Sequence, residues 1–415
     1  MRDGAPCERR RWHERRREQH DGDGGLLSHT GILRHLDNLT HSLFGVTLAR
    51  TPLARAGRGT TAALLLASNA PDIDIVTTAG GAVKYLEWHR GMTHGPLGVV
   101  ALGVITGSLV WIGRRFYDQR TRQTDARGDA DAADAGDATL GMLIAVSIVG
   151  VLLHVLMDLP TSYGTRLLSP FDWHWFAMDW MPIVDIYLLM ALVIGLLGRS
   201  NVQQRRAKAA FVLLVMATNY GVRAASHYQA LEVAPRLFGP TLPPPCDPPA
   251  DSGGMLDSWP RLAPPSNPPP GKRCLVEIVA MPSFTSPFSW RIIAQMSNAY
   301  EIHDIDLLDR RFREPESGSD APWRLTLRYP NVWTPTVEKA AATHLGQVYL
   351  GFSRLPAARS AVDTDGGTTV RWTDMRFAGG AFALDQPGPR TNPFTATVRL
   401  GADGRVLEES LGVRR

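Results

Sequence analysis

Four short polar clusters hold the residues best suited to chemistry in this chain. They read Leu39-Thr40-His41-Ser42, Asn69-Ala70-Pro71-Asp72-Ile73-Asp74, His89-Arg90-Gly91-Met92-Thr93-His94 and His154-Val155-Leu156-Met157-Asp158. Imidazole nitrogen and carboxylate oxygen, with no cysteine nearby, suit a divalent ion: zinc first, then manganese or iron. His154 and Asp158 are i,i+4 and share one helix face. His89 and His94 flank Gly91, which suggests a turn folding both imidazoles toward one point. A helix end after Pro71 needs one capping carboxylate, and this one offers two, Asp72 and Asp74. The donors His41, Asp72, Asp74, His89, His94, His154 and Asp158 outnumber the ligands of one tetrahedral ion, so a two-metal centre bridged by Asp72 or Asp74 is expected. Such a centre acidifies water and lets it attack an ester phosphorus or carbonyl. Arg90 and Arg166 join Asp72 and Asp74 as candidate catalytic residues in the role of anion clamps; the blander alternative for both arginines is contact with lipid headgroups. The segment Thr161-Ser162-Tyr163-Gly164-Thr165 could hydrogen-bond substrate or the ligands. His174, Asp179 and Asp185 are reserve ligands in a tryptophan-bearing stretch that also reads as an interfacial aromatic belt.

The elements that must position these clusters are apolar helices. Asp37 or Asn38 can cap a first helix carrying Leu39, Leu43, Phe44 and Leu48. Residues 60–79 are apolar apart from the two aspartates and form a less certain span. Gly95–Gly113, Thr139–Leu159, Pro182–Gly198 and Ala209–Gly221 read as spans. Arg50/Arg55/Arg58, Arg114/Arg115/Arg120/Arg122 and Arg199/Arg205/Arg206/Lys208 fall in loops on one side, which the positive-inside tendency makes cytoplasmic. All four polar clusters then lie at the outer helix ends. Loop charge did not require that agreement.

The 415-residue chain carries a formal net charge of +4 and has room for two or three domains. No aromatic-plus-basic stripe is present, which argues against a nucleic-acid partner. Residues 1–36 are arginine-rich without an apolar core, so they read as a disordered leader or an over-extended gene start, not a signal peptide. An Asp/Ala/Gly tract over 129–137 reads as a loop. Residues 37–230 form the expected helical domain and 231–273 a proline-rich linker. Residues 274–415 form a β-rich α+β domain expected outside the cytoplasm. Strands are expected at Leu275–Val279, Trp323–Arg328 and Thr368–Trp372, a short helix at Glu338–Leu345, and a hairpin around Asp403-Gly404. Cys246 and Cys274 either pair or remain two unrelated thiols, while Cys7 lies in the leader.

The motifs Leu39-Thr40-His41, Pro71-Asp72-Ile73-Asp74, His89-Arg90-Gly91-Met92-Thr93-His94 and His154–Asp158 together resemble the YbcI/YdjM family of bacterial inner-membrane proteins, described as membrane-bound metal-dependent hydrolases. The resemblance covers about residues 37–200, and its motifs are specific in combination. It implies a multi-pass inner-membrane protein with a metal site, and more loosely a reaction, through remote similarity to zinc-dependent phospholipase C-like helical enzymes. Gly95 departs from the pattern, which more often has Ser there, and a hydroxyl near the second histidine is then missing.

The expected architecture is a membrane all-α bundle of about four to six helices followed by a β-rich soluble domain. The expected function is hydrolysis of a phosphoester or ester, with a membrane lipid or envelope precursor as substrate. The alternatives are a metal- or proton-coupled transporter, which needs ionisable groups at mid-membrane depth, and a non-catalytic envelope protein clamped by a structural metal.

Overall fold

The structure is a computed structural model that describes residues 36–124, 136–198, 201–238, 242–246, 255–260, 273–309, 327–378 and 394–412. The leader over 1–35, Cys7, residues 125–135 of the acidic loop region and the expected strand residues 323–326 lie outside these. The chain divides into two compact units, and the division falls at Asn331 instead of in the proline-rich stretch. The larger unit holds Asp37–Asn331 with Val348–Arg354; the smaller holds Val332–Gln347 and Leu355–Arg415.

The larger unit is built on helices. Helix α1 covers 36–48, α2 is Thr60–Ala67, and a 3-10 segment Ala70–Gly80 leads into α3, Ala82–Trp88. Then come α4 (Pro96–Thr124), α5 (Leu140–Asp158), α6 (Ile186–Leu196) and α7 (Val202–Phe238). Pro96–Arg120, Leu140–Asp158 and Val202–Phe238 are long and apolar enough to cross a membrane. Two expected spans are corrected. The 60–79 stretch is broken after Ala67, because Asn69 and Pro71 end the α-helix and the chain tightens to 3-10 geometry. The 182–198 stretch yields only the 11 residues of α6, whose start is fixed where the Asp185 side chain accepts from Leu188 N–H.

Between apolar helices in lipid there is little hydrophobic drive, so close packing of small residues must hold them. Helices α4 and α5 meet that way. A Cβ on Gly103 would lie 2.7 Å from Ile148 Cα, and one on Gly107 would lie 2.6 Å from Ile144 Cα. Phe44, Leu64, Val146, Leu192 and Met216 close a second contact among α1, α2, α5, α6 and α7.

Helix α7 has 37 residues, about 55 Å at 1.5 Å per residue, well beyond the ~30 Å hydrocarbon core. Its last turns carry a sheet: Ala230, Ala234 and Phe238 pack on Ala280, Trp290, Ile292 and Ala294. That antiparallel sheet runs β3-β4-β5-β6, namely Leu275–Pro282, Ser289–Met296, Ala299–Asp306 and Leu327–Pro330. A short pair joins β1 (Trp175–Ala177) to β2 (Asp257–Trp259). Cys246 and Cys274 form a disulfide.

The smaller unit is a second antiparallel sheet, order β10-β9-β8-β7, formed by Val406–Leu411, Thr395–Leu400, Thr368–Asp374 and Pro356–Val362. The β9–β10 hairpin turns at Gly404, whose φ of 76° suits glycine. The expected helix over 338–345 is two, α8 (Pro335–Ala341) and α9 (His344–Phe352), with α8 packed on β7, β8 and β9. The result is the expected order, helical first and β-rich afterwards.

Candidate metal centre

The polar clusters converge at one end of the helices. Asp37 and His41 stand one turn apart near the start of α1, and Asp72 and Asp74 lie in the 3-10 segment. His89 ends α3, Arg90 and His94 lie in the turn before α4, and His154 and Asp158 occupy the last turns of α5. The opposite end carries the basic residues: Arg50 donates to Gly195 and Leu196 carbonyls, and Arg58 and Arg114 pair with Asp137.

Four side chains form the tightest group: Asp72, His94, His154 and Asp158, with their ligand atoms all within 4.8 Å of one another. His94 Nε2 lies 3.3 Å from Asp158 Oδ2 and 3.9 Å from Asp72 Oδ1. His154 Nε2 lies 3.5 Å and 3.6 Å from the same two oxygens. A tetrahedral ion with bonds of about 2.1 Å holds its ligand atoms about 3.4 Å apart. His94 Nε2, His154 Nε2 and Asp158 Oδ2 are buried and have no hydrogen-bond partner. Such atoms are costly to bury unless something binds them. A divalent cation fits both the spacing and the orphaned atoms.

The surrounding bonds aim the ligands. His154 donates through Nδ1 to the Ser68 carbonyl at 2.8 Å, which leaves the Nε2 lone pair facing the group. That carbonyl is left over where α2 ends. His94 Nδ1 sits 3.0 Å from Thr93 Oγ1. Asp72 alone of the four reaches solvent, with 18% of its side chain exposed against 0–2% for the others.

A second group shares Asp158 with Asp37 and His41. His41 Nε2 is 3.5 Å from both Asp37 Oδ1 and Asp158 Oδ1. The Arg90 guanidinium also enters it, 3.1 Å from Asp158 Oδ1 and 3.3 Å from Asp37 Oδ2. Arg90 has φ 49°, a conformation that turns its backbone N–H onto Asp74 Oδ2 at 2.6 Å. Its side chain is buried, donating to the Gly164 carbonyl and lying 5.0 Å from the Tyr163 ring centre.

Asp74 and His89 are expected ligands that the structure sets apart from both groups. His89 Nδ1 is 3.1 Å from Asp74 Oδ2, and its Nε2 is 3.1 Å from the Tyr85 hydroxyl, so both ring nitrogens are engaged. Burial pushes the His89 pKa down, favouring a neutral ring. Burial pushes the Asp74 carboxyl the other way, but His89 and the Arg90 N–H outweigh it and hold the acid low. This pair orients the turn that carries Arg90 and His94. The carboxylate shared by the two groups is Asp158, where the sequence suggested Asp72 or Asp74.

Arg166 stands outside the groups. It donates to the Glu87 carbonyl and is sandwiched between the rings of Trp173 and Trp175 at 4.6 Å and 4.7 Å. Burial lowers its pKa to about 10. Neither arginine is exposed as a headgroup contact requires. The reserve ligands are committed elsewhere: His174 to Asp172, Asp179 to Arg354, and Asp185 to the α6 cap and Arg223. The 161–165 segment supports Arg90 through Tyr163 and Gly164.

Residues 36–230 match the family described as YdjM inner membrane protein. That match covers just under half of the chain. The chain is also 29% identical over 177 residues to the protein named "Uncharacterized protein YfhP" of Bacillus subtilis (strain 168), covering 40% of this chain and 48% of that protein. The chain thus spans about half the length of that relative. No solved structure matches. The YdjM match ends at residue 230, within α7, and takes in both ligand groups. Inside the matched region, Gly95 has a local cause: a Cβ there would meet the Ser169 carbonyl at 1.9 Å and the Ser169 hydroxyl at 2.5 Å. Ser169 brings its own buried hydroxyl to the same turn, donating to the Gly91 carbonyl at 2.8 Å. Sequence reasoning took Asp37 only as a cap. Its i,i+4 spacing to His41 mirrors that of His154 and Asp158 and was the available signal.

Proposed function

We propose that the chain is an integral membrane, metal-dependent hydrolase of phosphoesters or esters, with Asp72, His94, His154 and Asp158 holding the cation. The observation that supports this most is the set of buried, unpartnered ligand atoms at tetrahedral separations. A cation bound there would supply Lewis-acid polarisation and acidify water. The chain's own residues fix the His154 tautomer through the Ser68 carbonyl, orient His94 through Thr93 and hold Asp158 against Arg90. They also leave Asp72 as the solvent-facing edge where substrate would arrive. Exposed Ile73 and Val76 follow Asp72 in the 3-10 segment and exposed Met92 lies in the turn before α4, which favours a substrate with a lipid tail.

The basic loops gather at the opposite end, so the positive-inside tendency supports an outward-facing site. The Cys246–Cys274 disulfide supports an oxidising compartment for the residues that follow α7. Four protein ligands also suit a closed structural ion, a second reading that activity separates from the first.

The test uses the full chain purified in detergent, with metal content and hydrolysis of phosphoester and ester panels measured beside Asp72→Ala and His94→Ala. Bound metal and turnover in the wild type, both lost in the variants, are expected. Metal without turnover on any panel member would favour the structural ion.

A further inference from the structure

Building on the metal-binding half of that reading, we infer that the centre is built for one divalent cation, and that Arg90 is the permanent occupant of the second cation position. Seven donors in the sequence suggest two ions, and the structure does arrange two ligand groups around a shared Asp158. The groups differ in what already fills them. The Asp72/His94/His154/Asp158 group contains no cationic side chain, and three of its ligand atoms are orphaned.

In the Asp37/His41/Asp158 group, Arg90 Nη2 lies 3.3 Å from Asp37 Oδ2 and 3.1 Å from Asp158 Oδ1, pairing with both carboxylates a second ion would need. His41 Nε2 faces both carboxylates at 3.5 Å, the place of a hydrogen-bond donor to them. Arg90 is locked in place by its Gly164 contact, by Tyr163, and by a backbone N–H tied to Asp74.

Charge accounting agrees. Asp37, Asp72 and Asp158 carry three negative charges in contact with the two groups. Arg90 and one divalent ion carry three positive charges. A second divalent ion beside Arg90 would put two unbalanced positive charges in a buried site, at a large desolvation cost. Arginine suits this position because it stays charged when buried and presents several donors in a fixed plane.

The experiment is equilibrium loading of the detergent-purified full chain with Zn²⁺ or Mn²⁺, followed by elemental analysis per chain. One equivalent is expected for the wild type. In Arg90→Gln the vacated Asp37/His41/Asp158 group is expected to admit a second ion, raising the count toward two. Asp37→Asn, which keeps Arg90, is expected to remain at one. Two equivalents in the wild type, falling to one in Asp37→Asn, would overturn the inference while leaving the metal reading intact. A count that stays at one in well-folded Arg90→Gln would overturn the role given to Arg90. No metal in the wild type would instead overturn the proposed metal site. Monodispersity on size exclusion screens each variant for folding. If Arg90→Gln fails that screen, the wild-type count decides: one equivalent supports the inference and two overturn it.

Discussion

The two ends of the helical bundle use the same residue types under opposite conditions. At the basic end, Arg58 and Arg114 meet Asp118 and Asp137 with side chains 21–66% exposed. Water competes for those charges, and each pair is worth little. At the other end, His94, His154 and Asp158 are buried to within 2%. There each atom without a partner carries a real cost, and geometry rather than charge count decides what the cluster is for. An ion pair on a surface says little about function; a buried carboxylate and two buried imidazoles aimed at the same point say a great deal.

Replacement of Asp158 should break the comparison most severely. Asp158→Ala removes the carboxylate shared by both ligand groups and strands Arg90, so bound metal should vanish and stability fall by about 3–5 kcal/mol. Elemental analysis and thermal unfolding in detergent would check both. Next is the packing that joins the two ends. Gly107→Ala would put a methyl group 2.6 Å from the Ile144 backbone, and overpacking of this kind costs about 1–3 kcal/mol, read as a lower unfolding temperature with metal stoichiometry unchanged.

Tyr85→Phe deletes the hydroxyl that meets His89 Nε2, for a loss of about 0.5–1.5 kcal/mol. The metal count should survive, because His89 belongs to neither ligand group. Smallest of all is Arg114→Ala at the basic end, expected to change stability by at most about 1 kcal/mol, an effect that shrinks as salt is added. A large and salt-insensitive loss there would contradict the contrast between the ends.

Much of this was legible in the residue order, for identifiable reasons. His154 and Asp158 needed only helical periodicity, and the helix itself was plain from its uncharged run. The convergence of four clusters at one helix end followed from alternation of spans and loop charge. The division of labour among the donors was not legible. His89 and His94 have equal standing in sequence, and only the Tyr85 and Asp74 contacts separate an imidazole with both nitrogens engaged from one whose Nε2 has no hydrogen-bond partner. Asp37 went unnoticed as a donor because an aspartate at a helix start already has a sufficient explanation as a cap. The short α6 and the break after Ala67 depend on where neighbouring helices end, information that hydropathy averages away. In the β-rich region, alternation and Asp403-Gly404 located the hairpin, while the pairing of helix α7 with the first sheet had no local signal.

The hydrogen bond from His154 to the Ser68 carbonyl has an evolutionary consequence. A side-chain acceptor can be erased by one codon change, but a main-chain oxygen is common to every amino acid. Substitution at position 68 can therefore alter its neighbours and never delete the acceptor itself. The orientation of His154 is written into the path of the backbone, and drift in the surrounding side chains can proceed without unsettling it.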